Sequence, residues 1–158
     1  MISLDTFYLA YYIIHIPITI LIDSSIIVPT KYLLPVSQHI LDFHISTNHD
    51  FLLVEKPLWF KISGLLELTF QLPLFFYLAW SLWNNRKSIN YYVFSIIYGF
   101  NAAFTTLLCL AAVYNDGPAF GLTSPQILNL MAVYSPYLGI PLLILVESTL
   151  SLNRDFRK

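Results

Sequence analysis

Four long stretches of this chain are apolar almost throughout, and the polar residues that interrupt them recur at helical spacing. They run roughly from Thr6 to Val28, Leu58 to Trp83, Ile89 to Tyr114 and Gln126 to Leu152. Each reaches the length of about 20 residues that an α-helix needs to cross a bilayer's hydrocarbon core. The pattern predicts an all-α fold, a four-helix transmembrane bundle. Punctuation agrees, with Pro29 after the first stretch, Asn84-Asn85-Arg86-Lys87 between the second and third, and an Asn115-Asp116-Gly117-Pro118 turn after the third. Ser124-Pro125 reads as N-cap and first helical residue of the fourth. Pro17, Pro73, Pro136 and Pro141 lie inside spans, where each deletes a backbone donor and is expected to bend its helix.

The connection from Thr30 to Pro57 is too long for a simple link. Leu33, Ser37, Ile40, Leu41, His44 and Ile45 recur at three- and four-residue spacing, which predicts a short amphipathic helix. It either closes one end of the bundle as a lid or rests on the headgroups. No repeat or low-complexity stretch divides the chain, so residues 1–158 read as one domain. The amino terminus lacks a basic n-region and a small-residue cleavage site, so the first stretch is expected to stay as a span.

Composition narrows the class. The chain is 57% hydrophobic and 11% charged, with a mean hydropathy of +0.67, whereas soluble domains are about 25% charged. A net charge of -1 offers no basic surface for nucleic acid. The single cysteine, Cys109, excludes an internal disulfide and a cysteine-based zinc cluster and reads as a packing residue. Aromatics, 16% of residues, include Tyr8, Tyr11, Tyr12, Trp59, Trp80, Trp83, Tyr91 and Tyr92 at levels where an interfacial belt would anchor the spans. Arg86, Lys87, Arg154, Arg157 and Lys158 would share one face of the membrane, and Lys31, Lys56 and Lys61 the other. That bias of five to three favours cytosolic termini.

Against this background two carboxyls stand out, because a charged group inside a bilayer is expensive and usually functional. Asp23 lies about 8 Å inside the end of span one and Glu67 about 12 Å inside span two, both measured from the end that carries the long loop. Consecutive antiparallel helices usually neighbour each other, so the two carboxyls are expected to meet. Sharing a dry site, they would hold one proton and one negative charge, suited to a cationic amine or a ligand hydroxyl. The alternative for Asp23 is that Asp23-Ser24-Ser25 caps the helix and reaches the headgroups. His15, Thr19 and Asp23 share one helical face, as do Gly64, Glu67 and Gln71, then Tyr98, Asn101 and Thr105, and on span four Tyr134 and Tyr137. The span-three residues serve either a ligand or the contact between helices, and with Gly99 they suit close packing of the kind a homodimer uses. His39, His44 and His49 are five apart, not a helical face, and read as no metal site. Glu147 reads as an interfacial residue and His15 as a packing residue. No catalytic residue and no cofactor is expected.

The blocks His15-Ile16-Pro17-Ile18-Thr19 with Asp23, Trp59-Phe60-Lys61 leading to Glu67-Leu68-Thr69-Phe70-Gln71-Leu72-Pro73, and Val133-Tyr134-Ser135-Pro136-Tyr137 with Ile140-Pro141 resemble, in order and spacing, the sigma-2 receptor family of EXPERA membrane proteins. That family also contains the emopamil-binding sterol isomerases. The resemblance implies an endoplasmic reticulum bundle, often homodimeric, with a lipid-accessible pocket for cationic amphiphiles and sterol-like molecules. It implies Asp23 as partner of a ligand amine, Glu67 as its hydrogen-bonded neighbour, and Gln71, Tyr137 and His15 as cavity lining. The tail Asn153-Arg154-Asp155-Phe156-Arg157-Lys158 departs from the family's lysine-rich retrieval signal. The resulting expectation is a receptor or lipid-binding protein, with sterol isomerase and a factor assisting membrane- or mitochondrial-protein targeting as alternatives. The isomerases place further histidines and acids in their core, whereas these spans hold only His15.

Overall fold

The computed structural model describes residues 3–156, with side chains as far as Arg154. Arg157 and Lys158, two of the basic residues used for orientation, lie outside the described residues. Helix α1 (Leu4–Leu21) starts where Ser3 accepts the backbone N–H of Thr6 at 3.1 Å. After Ile22 the chain tightens into a 3₁₀ turn, Asp23–Ile26. The first connection holds α2 (Pro35–Asn48) and a short α3 (Phe51–Glu55). Span two is α4 (Leu58–Leu66), a π-helical turn (Glu67–Gln71) and α5 (Leu72–Trp83). Helix α6 (Ile89–Asp116) and helix α7 (Ser124–Phe156) complete the bundle.

The four segments long and apolar enough to cross a membrane are Leu4–Ile26, Leu58–Trp83, Ile89–Phe120 and Ser124–Arg154. Ile14, Phe76, Phe100, Phe104 and Val146 point away from the bundle, as lipid-facing side chains do. Two expected boundaries move. Beyond Asp116 the chain stays helical through a 3₁₀ turn, Gly117–Phe120, and the reversal comes at Gly121, whose φ of +80° suits glycine. At the start of α7 the side chain of Gln126 accepts the Thr123 backbone N–H at 2.8 Å, so the capping position is Thr123, one residue before the expected Ser124.

Lipid gives apolar side chains no reason to leave it for one another, so close packing and hydrogen bonds hold such a bundle together. Helices α6 and α7 meet at Gly99, where a Cβ would lie 2.7 Å from the Pro141 carbonyl oxygen. This corrects one expectation, since Gly99 is consumed inside the chain and supplies no surface for a second copy. Asp5 and Lys87 pair at 2.7 Å, tying the amino terminus to the loop between spans two and three. The core has two centres. Tyr8, Tyr12, Phe75, Leu78, Tyr91 and Tyr98 fill the half nearer that loop, and Ile26, Leu41, Leu52, Phe60, Val113 and Leu130 the half under the long connection.

Candidate functional site

A cavity of about 140 Å³ lies where the two centres meet. Span one supplies Asp23 because the 3₁₀ turn ends the helix just there. Ser24 Oγ donates to the Ile20 carbonyl at 2.7 Å, and Lys56 Nζ donates to the Ser25 carbonyl at 2.7 Å, satisfying acceptors that the helix end leaves open. Lys56 lies outside the spans; burial, and secondarily the charge of Lys61, lower its pKa. Span two approaches closely because Gly64 has no side chain: a Cβ there would sit 2.8 Å from Ile26 Cγ2.

Glu67 opens the π-helical turn, in which the Leu72 N–H reaches back to the Glu67 carbonyl. Pro73 follows and has no N–H with which to continue an α-helical ladder, so the ladder is slack at this point. The Glu67 and Asp23 carboxyls face each other across the cavity wall within hydrogen-bonding reach.

Of the eight residues proposed from sequence, seven line this cavity: Asp23, Glu67, Gln71, Tyr137, His15, Tyr98 and Thr105. Thr19 does not. It is fully buried beside the Asp23 carboxyl, and its hydroxyl makes no directed hydrogen bond. Several of the seven are already engaged. Gln71 donates to Asn101 Oδ1 at 2.8 Å, Tyr98 shares a 2.8 Å hydrogen bond with Tyr11, and Thr105 donates to carbonyls of its own helix. The span-three stripe therefore binds helix to helix while also forming the wall. His15 sits in an aromatic nest, 4.4 Å from the Tyr11 ring centre and 5.3 Å from that of Tyr137.

The wall also holds residues the sequence reading passed over. Asp50 is fully buried. One oxygen caps α3 by accepting the N–H groups of Leu52 and Leu53 at 3.1 and 3.4 Å, and the other accepts the Tyr134 hydroxyl at 2.9 Å and His44 Nε2 at 3.1 Å. Asn48 donates to His44 Nδ1 at 3.4 Å, which assigns the His44 proton to Nε2. Asn129 on α7 then donates to Asn48 Oδ1 at 3.1 Å. This chain of contacts latches α2 over the cavity, so the connecting helix is a lid. His44 belongs to the cavity wall, whereas His39 and His49 are exposed. A signal for Asp50 was present: an aspartate directly before Phe51-Leu52-Leu53 is a helix-start pattern.

Chemically, the cavity carries three carboxyls, Asp23, Glu67 and Asp50, and no lysine or arginine among its lining residues. Asp50 has four donors around it; the pair of Asp23 and Glu67 has mostly each other. Two carboxyls without a lysine or arginine partner are thus gathered at one wall, beside apolar Ile18, Ile22 and Val133.

Comparison with known proteins agrees with this architecture. Residues 36–148 match the EXPERA (EXPanded EBP superfamily) family. The chain is 41% identical over 147 residues to the Saccharomyces cerevisiae protein named efficient mitochondria targeting-associated protein 19, covering 86% of this chain and 91% of that one. It is 30% identical over 152 residues to human sigma intracellular receptor 2, covering 86% and 81%. A Schizosaccharomyces pombe protein named like the first is 28% identical over 147 residues, covering 91% and 74%. The chain is an integral membrane protein of the sigma-2 receptor family, within the EXPERA (EXPanded EBP) superfamily.

Proposed function

We propose that this protein is a non-enzymatic membrane receptor whose cavity binds a cationic amphiphile or a sterol through the pair of Asp23 and Glu67. The observation that carries the reading is that the pair lines a cavity with no lysine or arginine among its lining residues to match it. Asp23 takes the anionic role and meets the amine; Glu67 bears the proton and holds Asp23 in place. A cavity of about 150 Å³ accommodates a benzene-sized molecule, so about 140 Å³ fits an amine head or a single ring and not both. The remainder of a sterol-sized ligand requires the lid to move or the helices to part. Human sigma intracellular receptor 2 supports the reading by its name. Residence in the endoplasmic reticulum, cytosolic termini and a homodimer belong to the same proposal; the dimer draws on family likeness, not on Gly99.

The test is equilibrium binding of one radiolabelled amine and one sterol to folded variants. Asp23→Asn removes the charge facing the amine and is expected to weaken amine binding by about 2 kcal/mol or more, about thirtyfold. The sterol is expected to lose less, because an amide still offers its hydroxyl a partner. Glu67→Gln, which keeps a donor for Asp23, is expected to be milder than Glu67→Ala. Unchanged amine affinity in folded Asp23→Asn protein overturns the assignment. Sterol double-bond migration that disappears with Glu67→Gln would make the protein an isomerase instead.

The name of the 41% identical yeast relative favours a second reading, a role in targeting mitochondrial proteins. If deleting the protein slows such targeting and Asp23→Asn restores it fully, that role resides outside the cavity.

A further inference from the structure

The half of the bundle nearer the loop between spans two and three contains hydroxyls that the acid cavity does not use. Tyr8, Tyr12, Ser81 and Ser95 are each at most 1% exposed, and none of their hydroxyls makes a well-aligned hydrogen bond, although Ser95 lies within reach of Tyr12. Helical spacing arranges three of them, Tyr8, Tyr12 and Ser95, in a column. Tyr8, Tyr12, His15 and Thr19 form the buried face of α1, and Tyr91, Ser95 and Tyr98 belong to the buried face of α6. Ser95 is near the hydroxyls of both Tyr12 and Tyr91. At the outer end, Tyr8 and Tyr91 come within electrostatic reach of Asp5 and Glu147. At the inner end, the hydrogen-bonded hydroxyls of Tyr11 and Tyr98 line the cavity, and the Tyr12 and Tyr98 rings meet edge to face at 5.8 Å.

A single unpaired buried hydroxyl can have a local cause, but four in one half of a bundle need a common one. Buried polar groups without protein partners are ordinarily completed by ordered water, and hydroxyls linked by water pass protons along a polarised chain. Intramembrane proton relays use buried carboxyls of the kind at the inner end of this column.

We propose that this column binds a file of water molecules and carries protons between the loop face at Asp5 and Lys87 and the pair of Asp23 and Glu67. When a carboxyl gives up its proton it becomes a carboxylate. Each hydroxyl and water along the file accepts one proton and passes on another, and a hydronium ion leaves at the outer end. Every group between is chemically unchanged. The competing route runs to the opposite face through His44 and Asp50 beneath the lid, with Tyr134 beside them. Groups that face the pair from elsewhere are His15 on α1, Cys109 on α6 and Tyr137 on α7, besides Tyr11 and Tyr98 at the end of the column.

The experiment uses the full chain, reconstituted in one orientation in liposomes, with pH jumped on one side at a time. The readout is the infrared band of a protonated carboxyl, assigned as the band that Glu67→Gln abolishes. In the unaltered protein the band is expected to follow pH on the Asp5 and Lys87 side. Tyr12→Phe and Ser95→Ala are expected to slow it by about tenfold or more, since losing one member interrupts the chain, while the final protonation stays the same. A merely structural role would change melting temperature and leave this rate alone. Tyr12→Phe keeps the ring and its packing, so it carries the test if Ser95→Ala fails to fold. The proposal is overturned if the band follows pH on the lid side, if both variants respond at the parent rate, or if Glu67→Gln abolishes no band. No ligand enters the readout, so failed amine binding would sink the receptor reading and leave this result standing.

Discussion

Asp50 offers a sharp test of the lid, because four donors converge on one buried carboxylate and each loss has a separate size. Asp50→Ala uncaps α3, costing about 0.5–2 kcal/mol. It also leaves the Tyr134 hydroxyl facing a dry wall, about 1–3 kcal/mol. His44 loses its acceptor as well, yet its side chain is 24% exposed and can turn to water, so its share is small. The sum is about 1.5–5 kcal/mol, and at about 2–4 °C per kcal/mol for a chain of this size the melting temperature should fall by about 3–20 °C. Asp50→Asn keeps a capping oxygen and should cost about 1 kcal/mol. The decisive measurement is the cycle of Asp50→Ala and Tyr134→Phe in thermal melts of detergent-solubilised protein. Removing the stranded hydroxyl should restore about 1–2 kcal/mol, so the double variant melts above Asp50→Ala alone. The reasoning fails if Asp50→Ala melts within about 2 °C of the parent, or if adding Tyr134→Phe only lowers the melt further.

Two further outcomes follow from contacts between spans. Gln71→Leu strands the Asn101 amide and should destabilise by about 0.6 to 1.7 kcal/mol; adding Asn101→Leu should recover most of this, checked by the same melts. For Lys87, burial pulls the pKa down, but its hydrogen bond to Asp5 and the charge there outweigh it and raise the pKa. The pair's stabilisation is therefore present below the ordinary lysine range and lost as pH climbs through the raised value. With both side chains more than a third exposed it should be worth under about 1 kcal/mol, and melts of Asp5→Asn should converge with the parent at high salt.

The spans were legible because a run of about 20 apolar residues suits a bilayer and little else, and Asp23 and Glu67 were legible because depth in a span can be counted from its ends. The lid was only half legible. Leu33, Leu41 and Ile45 predict an apolar face whether that face meets protein or lipid, and its true partner depends on hydrogen bonds from Asn48, His44 and Asp50 that no periodicity announces. Asp50 was hidden because its role needs Tyr134, eighty-four residues away. Tyr8, Tyr11 and Tyr12 looked like a belt, since an interfacial aromatic and an inward-facing tyrosine share a composition and differ only in rotation about the helix. Thr19 was placed on the correct face but lies behind Asp23 instead of beside a ligand.

The slack turn at Glu67–Gln71 has a consequence for how this gene can vary. One extra residue is accommodated there, and removing any one of the five would let the segment close into ordinary α-helix. The span would still be long and greasy enough to insert, and everything after the deletion would keep its connections. The helices on either side would keep their facing, because the wide turn already absorbs the residue lost, but within the turn the angle between Glu67 and Gln71 would change, and Glu67 could no longer face Asp23 while Gln71 faced Asn101. Single-codon deletions in this window should therefore yield protein that inserts and accumulates but has lost its cavity chemistry, a class of allele that substitution scanning alone would never sample.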